Sequence, residues 1–207
     1  MFFHKTPTIL QRLYPGLVWH KRSQHKEIFL TFDDGPIPGL TPFVLATLAE
    51  FNVRATFFCV GDNLRKHSEI AKEAVSQGHR LGNHTFNHLD GWKTQNNVYV
   101  ENIEKCDQYL PEVGTARPLF RPPYGKINRS QIKIVRQAYD IIMWDVLSWD
   151  FSRKISPESC LKNSIKATAK GSIVLFHDNW KAEKNLEYAL PRYIEHFVSK
   201  GFVFKTL

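Results

Sequence analysis

Ile28-Phe29-Leu30-Thr31-Phe32-Asp33-Asp34-Gly35-Pro36 is the stretch on which the reading of this chain turns. An apolar run leads into two adjacent carboxylates and then into a Gly-Pro turn. That is the pattern of a buried strand ending at a polar edge. Two neighbouring Asp residues raise each other's pKa unless a cation lies between them. Taken alone, Asp33-Asp34-Gly35 reads first as a turn with two solvated Asp. The remainder of the chain decides between the two.

Outward from this strand the text alternates. Thr41-Pro42 opens a helix, with Thr41 as N-cap and Pro42 at the first position. Ala55 to Val60 is a continuous apolar strand. Residues 63–77 read as one helix stopped by Gly78, and His79 to His84 as a strand. Residues 96–109 form a helix, Leu119-Phe120-Arg121 a short strand, and Ser130 caps a helix to Tyr139. Ile141 to Ser148 reads as one long strand. A helix from Ser156 to Lys170, the strand Ile173 to Phe176, a helix over 182–199 and the strand Phe202 to Phe204 complete the chain. Repeated strand–helix alternation without a linker predicts an α/β fold with about seven parallel strands and outer helices. An incomplete (β/α) barrel fits the length; a doubly wound open sheet is the competitor. Residues 1–25 are expected to be an N-terminal extension packing on a body of residues 26–207.

The chain has 207 residues and a net charge of +8, with the basic residues scattered rather than blocked. A nucleic-acid footprint is not supported, and no nucleic-acid-reading motif occurs. Cys59, Cys106 and Cys160 are widely spaced and odd in number, which predicts neither a disulfide framework nor a cysteine zinc site. Nothing reaches transmembrane length. With no readable signal peptide, the expected location is the cytoplasm. The sequence does not address the oligomeric state.

In a barrel the C-terminal ends of the strands share one face. Here those ends carry Asp33-Asp34, His84 to His88, Arg121 to Gly125, Trp149-Asp150 and His177-Asp178. His84 and His88 are four apart, a spacing that predicts both imidazoles on one side of a helical turn. Two His and one Asp are a common triad for a divalent metal; hydrogen-bonded turn histidines are the other reading.

The ordered set Thr-Phe-Asp-Asp-Gly, His-Thr-x-x-His, Arg-x-Pro-Tyr-Gly, an Asp after an apolar strand, and Ile-Val-Leu-x-His-Asp resembles the polysaccharide deacetylases, the NodB-homology group of carbohydrate esterases. The resemblance covers about residues 26–207. It implies a distorted (β/α) barrel and removal of acetyl groups from N-acetylglucosamine polymers or acetylxylan. It also implies a divalent metal, usually zinc, with cobalt, nickel or manganese as substitutes. By position, Asp33 resembles the catalytic base, and Asp34, His84 and His88 the metal ligands. Arg121 resembles the residue orienting the base, and Tyr124 the one whose backbone N–H holds the oxyanion. His177 resembles the general acid, Asp150 the carboxylate that tunes it, and Leu175 a wall of the acetyl pocket. Trp149 and Phe151 are expected to contact the sugar, with Phe151 standing where the family commonly has Trp. Arg80 stands where an acidic residue is frequent and is expected at the surface. Phe86, Trp92 and Trp180 are further aromatic candidates for sugar stacking. Hydrolysis of another linear amide, a two-His-one-carboxylate iron oxygenase and a non-catalytic carbohydrate-binding relative are the alternatives. The partner expected is a carbohydrate.

Overall fold

The structure is a computed structural model and describes residues 3–111 and 117–207. In chain order its elements are α1 (Thr8–Leu13), β1 (Glu27–Asp33), α2 (Leu40–Glu50), β2 (Thr56–Cys59), α3 (Gly61–Lys66), α4 (Ser68–Ser76), β3 (Arg80–Asn83), α5 (Asn96–Asp107) and β4 (Leu119–Phe120). Then come α6 (Arg129–Val135), β5 (Asp140–Ile141), β6 (Val146–Leu147), α7 (Pro157–Ala167), β7 (Ile173–His177), α8 (Glu183–Val198) and β8 (Val203–Phe204).

Every strand pairing is parallel. The order across the sheet is β5-β4-β3-β2-β1-β7-β6, with β8 beside the start of β1. This is sequential order around a ring that is open between β5 and β6, so the chain never reverses direction as a doubly wound sheet must. Residues 142–145 join the two edges. From Ile141 to Val146 an extended chain reaches at most about 18 Å, so the sheet has to curl until its edges nearly meet. The result is an incomplete, distorted barrel.

The expected single strand 141–148 is split for the same reason: one chain cannot follow both edges of an open ring. Its first part pairs with β4 and its second with β7. The N-terminal residues patch the gap. Val18 N–H donates to Ile141 O, Met143 N–H to Val18 O, and Lys5 bridges Val146 antiparallel.

The core lies where the helices cover the outside of the sheet. Ile28, Leu30 and Phe32 of β1 pack with α2 and α8 residues such as Val44, Leu48, Leu186, Leu190 and Tyr193. Each fully buried Leu or Ile there contributes about 1.5–3 kcal/mol. All three cysteines are buried and free. No helix among the described residues is long and apolar enough to cross a membrane.

Four local expectations are corrected. The helix over 63–77 is two helices, because His67 leaves the helical region (φ −133, ψ 43) between α3 and α4. Thr41 is not an N-cap; that position is Gly39, and the Thr41 hydroxyl accepts from Ile37 N–H instead. The cap of α6 is Asn128, in a reciprocal box with Gln131, rather than Ser130. Arg80 is half-buried, its guanidinium donating to the Leu207 and Arg117 carbonyls.

Candidate active site

The C-terminal ends of β1, β3, β4 and β7, with the segments after β4 and β6, converge on one cleft of about 710 Å³. Asp33 and His177 are register partners on adjacent strands, so the parallel ladder alone sets them side by side. Asp33, Asp34, His84, His88, Tyr124, Trp149, Phe151, Leu175 and His177 all line the cleft.

Asp33 is buried and paired with Arg121, a guanidinium with no exposed surface. Arg121 Nη1 donates to Asp33 Oδ1 at 2.7 Å and to the Thr31 hydroxyl at 2.8 Å. The rest of the fork is used on the barrel gap: Nη2 donates to Met143 O at 2.9 Å and Nε to Ile142 O at 3.3 Å. The cation also lies 4.1 Å over the Phe58 ring. A buried ion pair persists only when its other hydrogen-bonding groups are met, and here the pair ties the closing segment to β1. Asp33 Oδ2 is left facing His84 Nε2 at 3.7 Å.

Asp34 Oδ1 lies 3.1 Å from His88 Nε2 and 3.6 Å from His84 Nε2. The candidate ligand atoms of the three residues all fall within 4.8 Å of one another. Tetrahedral coordination with bonds of about 2.0–2.1 Å has donor–donor edges of about 3.3 Å, and the two measured edges straddle that length. The chemistry of the donors agrees. A carbonyl can only accept, so the 2.7 Å contact from His84 Nδ1 to Arg121 O puts the proton on Nδ1 and leaves the Nε2 lone pair toward Asp34. Burial, outweighing the pull of Asp33, lowers the His84 pKa to about 4, so the ring is the neutral ligand form at neutral pH. For Asp34, burial favours the protonated form, but the hydrogen bond to His88 and the nearby imidazoles outweigh it and hold the carboxyl well below the usual range. One carboxylate and two imidazoles, with a side left open to the cleft, fit a divalent cation.

The two histidines do not share a helical turn. Residues 84–90 contain no helix, and Thr85 and His88 take left-handed backbone angles (φ 61 and 55). Those two reversals, rather than helical periodicity, bring the rings within 5.1 Å of each other. Among the described residues six non-glycines have positive φ, and Asp34, Thr85, His88, Tyr124 and Trp149 are five of them. Such backbone costs about 1–3 kcal/mol each and is retained where the surroundings force it.

His177 is held by Asp150. Its Nδ1 lies 2.9 Å from Asp150 Oδ1, and its backbone N–H donates to Oδ2 at 2.7 Å. Asp150 also accepts from the Ser148 hydroxyl and Phe151 N–H. Burial works against a charged ring, but the attraction of Asp150, with Asp34 and Asp33 further off, outweighs it and pushes the His177 pKa up to about 9. Phe151 packs edge-on against this imidazole at 4.8 Å and against Trp149 at 5.5 Å. The Trp149 indole N–H donates to Phe3 O.

Leu175, buried beside Leu147 in register, forms an apolar wall. Tyr124 is exposed at the rim (φ 60), its hydroxyl 3.1 Å from His88 Nδ1. Of the other aromatics, Phe86 is in the core and cannot stack on a ligand. Trp180 and Trp92 are exposed, and only Trp180 lines the cleft.

Three polar residues around Asp34 are given no catalytic or ligand role by the sequence pattern. Asn179 donates to Asp34 Oδ2, Asn63 donates to Asp34 O at 2.8 Å, and the buried Asp178 accepts from Gly35 N–H at 2.9 Å. The Asp178 contact reaches across 143 residues of sequence.

Comparison with known proteins gives concordant results. A family model described as Polysaccharide deacetylase matches residues 20–139. A peptidoglycan-N-acetylglucosamine deacetylase of Bacillus cereus is 35% identical over 184 residues, covering 87% of this chain and 66% of that protein. A second Bacillus cereus protein of the same description is 31% identical, covering 92% of this chain and 91% of its own length. Among solved structures, the Bc1960 peptidoglycan N-acetylglucosamine deacetylase in complex with 4-naphthalen-1-yl-N-oxidanyl-benzamide superposes with a TM-score of 0.88. It is 32% identical, covering 98% of this chain and 95% of that one.

Proposed function

The chain belongs to the polysaccharide deacetylase family, and on that premise we propose that it hydrolyses the acetamide of an N-acetylated sugar, with Asp33 as base and His177 as acid. N-acetylglucosamine within a glycan such as peptidoglycan is the substrate class, by analogy with the named relatives. The observation that carries the reading is the pairing of two dyads at one cleft. Asp33 is fixed by Arg121 at 2.7 Å and His177 by Asp150 at 2.9 Å, on adjacent strand ends beside the Asp34, His84 and His88 donors.

Asp34, His84 and His88 would hold a divalent cation, zinc being the favoured one. When bound, such an ion supplies Lewis acidity, lowering the pKa of water at the site and polarising an acyl carbonyl. Asp33 Oδ2, the oxygen that Arg121 leaves free, takes the proton of the attacking water. Arg121 contacts Asp33 and not the cleft, so its part is orientation. The Tyr124 backbone N–H donates to the developing oxyanion. An amine is a poor leaving group and departs only as it gains a proton. His177, still protonated at neutral pH, supplies it, and Asp150 keeps the ring charged and oriented. Leu175 and Leu147 bound the space for the acetyl methyl, and Trp149 and Phe151 present apolar faces to the sugar.

The test is acetate release by purified protein, metal-stripped and then reloaded with zinc or cobalt. N-acetylglucosamine oligomers, peptidoglycan and acetylxylan are offered in parallel. Release that depends on metal from an N-acetylated glycan is the expected outcome. Release confined to acetylxylan refutes the amide reading, and no release from any of them refutes the activity.

A further inference from the structure

Asp34 is restrained at several points by groups around it. Its backbone lies in the left-handed region (φ 89). Its N–H donates to Phe58 O at 3.1 Å, and its carbonyl accepts from Asn63 Nδ2 at 2.8 Å. The next residue, Gly35, gives its N–H to Asp178, which also takes the Thr41 hydroxyl at 2.6 Å. The backbone of the loop is therefore fixed. What remains is the carboxylate, which can rotate about its last bond and offer either one oxygen or both.

Here the two oxygens are treated differently. Oδ1 faces the imidazoles, 3.1 Å from His88 Nε2 and 3.6 Å from His84 Nε2. Oδ2 accepts the side-chain amide of Asn179. An amide is a suitable group for this. It engages one lone pair of Oδ2 and holds that oxygen toward α8 without bringing a charge that would neutralise the carboxylate, as Lys or Arg would. Asn179 is itself pinned, because its Oδ1 accepts from Lys181 N–H at 2.9 Å and Ala182 N–H at 3.2 Å in the turn before α8.

We propose that Asn179 is a positioning residue that makes Asp34 a one-oxygen ligand, by occupying Oδ2 and leaving Oδ1 alone to face His84 and His88. This rests on the reading of those three residues as a cation site. With one oxygen from Asp34 and two imidazoles, the protein supplies three donors, and a position stays open for water and substrate. A two-oxygen Asp34 would fill that position. Groups that orient a ligand in this way typically affect metal affinity by about 10–100-fold when removed.

The experiment compares wild type, Asn179→Ala and Asn179→Ser, loaded with cobalt(II). Ala removes both the amide and the turn acceptor. Ser keeps an oxygen suited to capping the turn but cannot reach Asp34 with an N–H. Affinity is measured by competition with a chromophoric chelator. Coordination is read from the visible absorption of cobalt, which is intense for four donors and weak for more. Melting of the metal-free proteins reports the turn separately. Both variants are expected to bind cobalt about 10–100-fold more weakly and to show a weaker visible band, with Ser recovering the melting temperature but not the band. Wild-type affinity and band in both variants overturns the proposal. Wild type that binds no cobalt overturns the cation site itself, and this inference with it.

Discussion

Replacing Asp150 by Asn is expected to leave His177 mostly unprotonated at physiological pH. The carboxylate lies 2.9 Å from His177 Nδ1 and takes the His177 backbone N–H as well, while the surrounding burial opposes a charged ring. Raising the imidazole from 6.5 to about 9 corresponds to about 3 kcal/mol, at about 1.4 kcal/mol for each tenfold change. Because the pKa is higher folded than unfolded, this stabilisation is complete below about pH 6.5 and is lost as the pH climbs through about 9. The amide introduced by Asp150→Asn carries no charge; with the largest attraction gone and only that of Asp34 and Asp33 left to oppose it, burial takes the ring back toward 6.5. At pH 7.5 a ring returned to 6.5 is protonated to about 10%, against about 97% in the wild type. The variant should therefore lose about tenfold in kcat at pH 7.5, and the ratio to wild type should close toward one near pH 5.

Two assays check this. Acetate release at each pH gives the ratio, in which other titrations cancel. An NMR titration of the His177 ring in metal-free protein gives the pKa directly. A bound divalent cation opposes the pull of Asp34 and Asp33, so the alkaline limb of the loaded enzyme should sit below about 9. A wild-type ring titrating at or below 6.5, or a ratio flat from pH 5.5 to 9.5, refutes the reasoning.

Asp33→Asn should retain metal while kcat falls by roughly 10²–10⁴, measured by acetate release alongside metal analysis; undiminished turnover removes Asp33 from the mechanism. Asp34→Ala and His88→Ala should each lose metal and activity together, and a metal-free variant of normal rate would contradict the site. Arg121→Met leaves Asp33 buried without its partner and should cost about 3–5 kcal/mol in urea denaturation, a large part of a total of about 5–15 kcal/mol; a cost under about 1 kcal/mol argues that the pair is not structural. A Cβ on Gly35 would sit 1.9 Å from Asp178 Oδ2, so Gly35→Ala should destabilise by about 1–3 kcal/mol. Adding Asp178→Ala should relieve part of that strain, and strictly additive costs would show that the contact is not its source.

How much of this was legible in the sequence differs from element to element. The strand ending at Asp33 was readable because burial on both faces demands a largely apolar run, here Ile28-Phe29-Leu30 and Phe32 around Thr31, and the carboxylates mark where it stops. The alternation of strands and helices fixed a parallel α/β fold for the same local reason. His84, His88, Arg121, Asp150 and His177 were marked by residue type at strand ends and by their order. The break at His67, the true cap Asn128 and the splitting of strand 141–148 were not legible. Each depends on what the segment packs against, and local propensity is silent on that.

The sequence by itself determined which chemical groups sit at the mouth, because a parallel barrel delivers the C-terminal ends of its strands to one face. Only the tertiary structure decided how those groups are held. The left-handed backbone at Thr85 and His88 turns two histidines onto one carboxylate. Arg121 directs half of its hydrogen bonds to the carbonyls of the closing segment, which binds the Asp33–Arg121 pair to the closure of the sheet. Asp178 and Asn179 fix a loop more than 140 residues earlier in the chain. Such contacts carry no periodicity or spacing. They arise from the long-range pairing of β7 with β1, and an Asn or Asp in a turn gains its role from whatever the fold places opposite it.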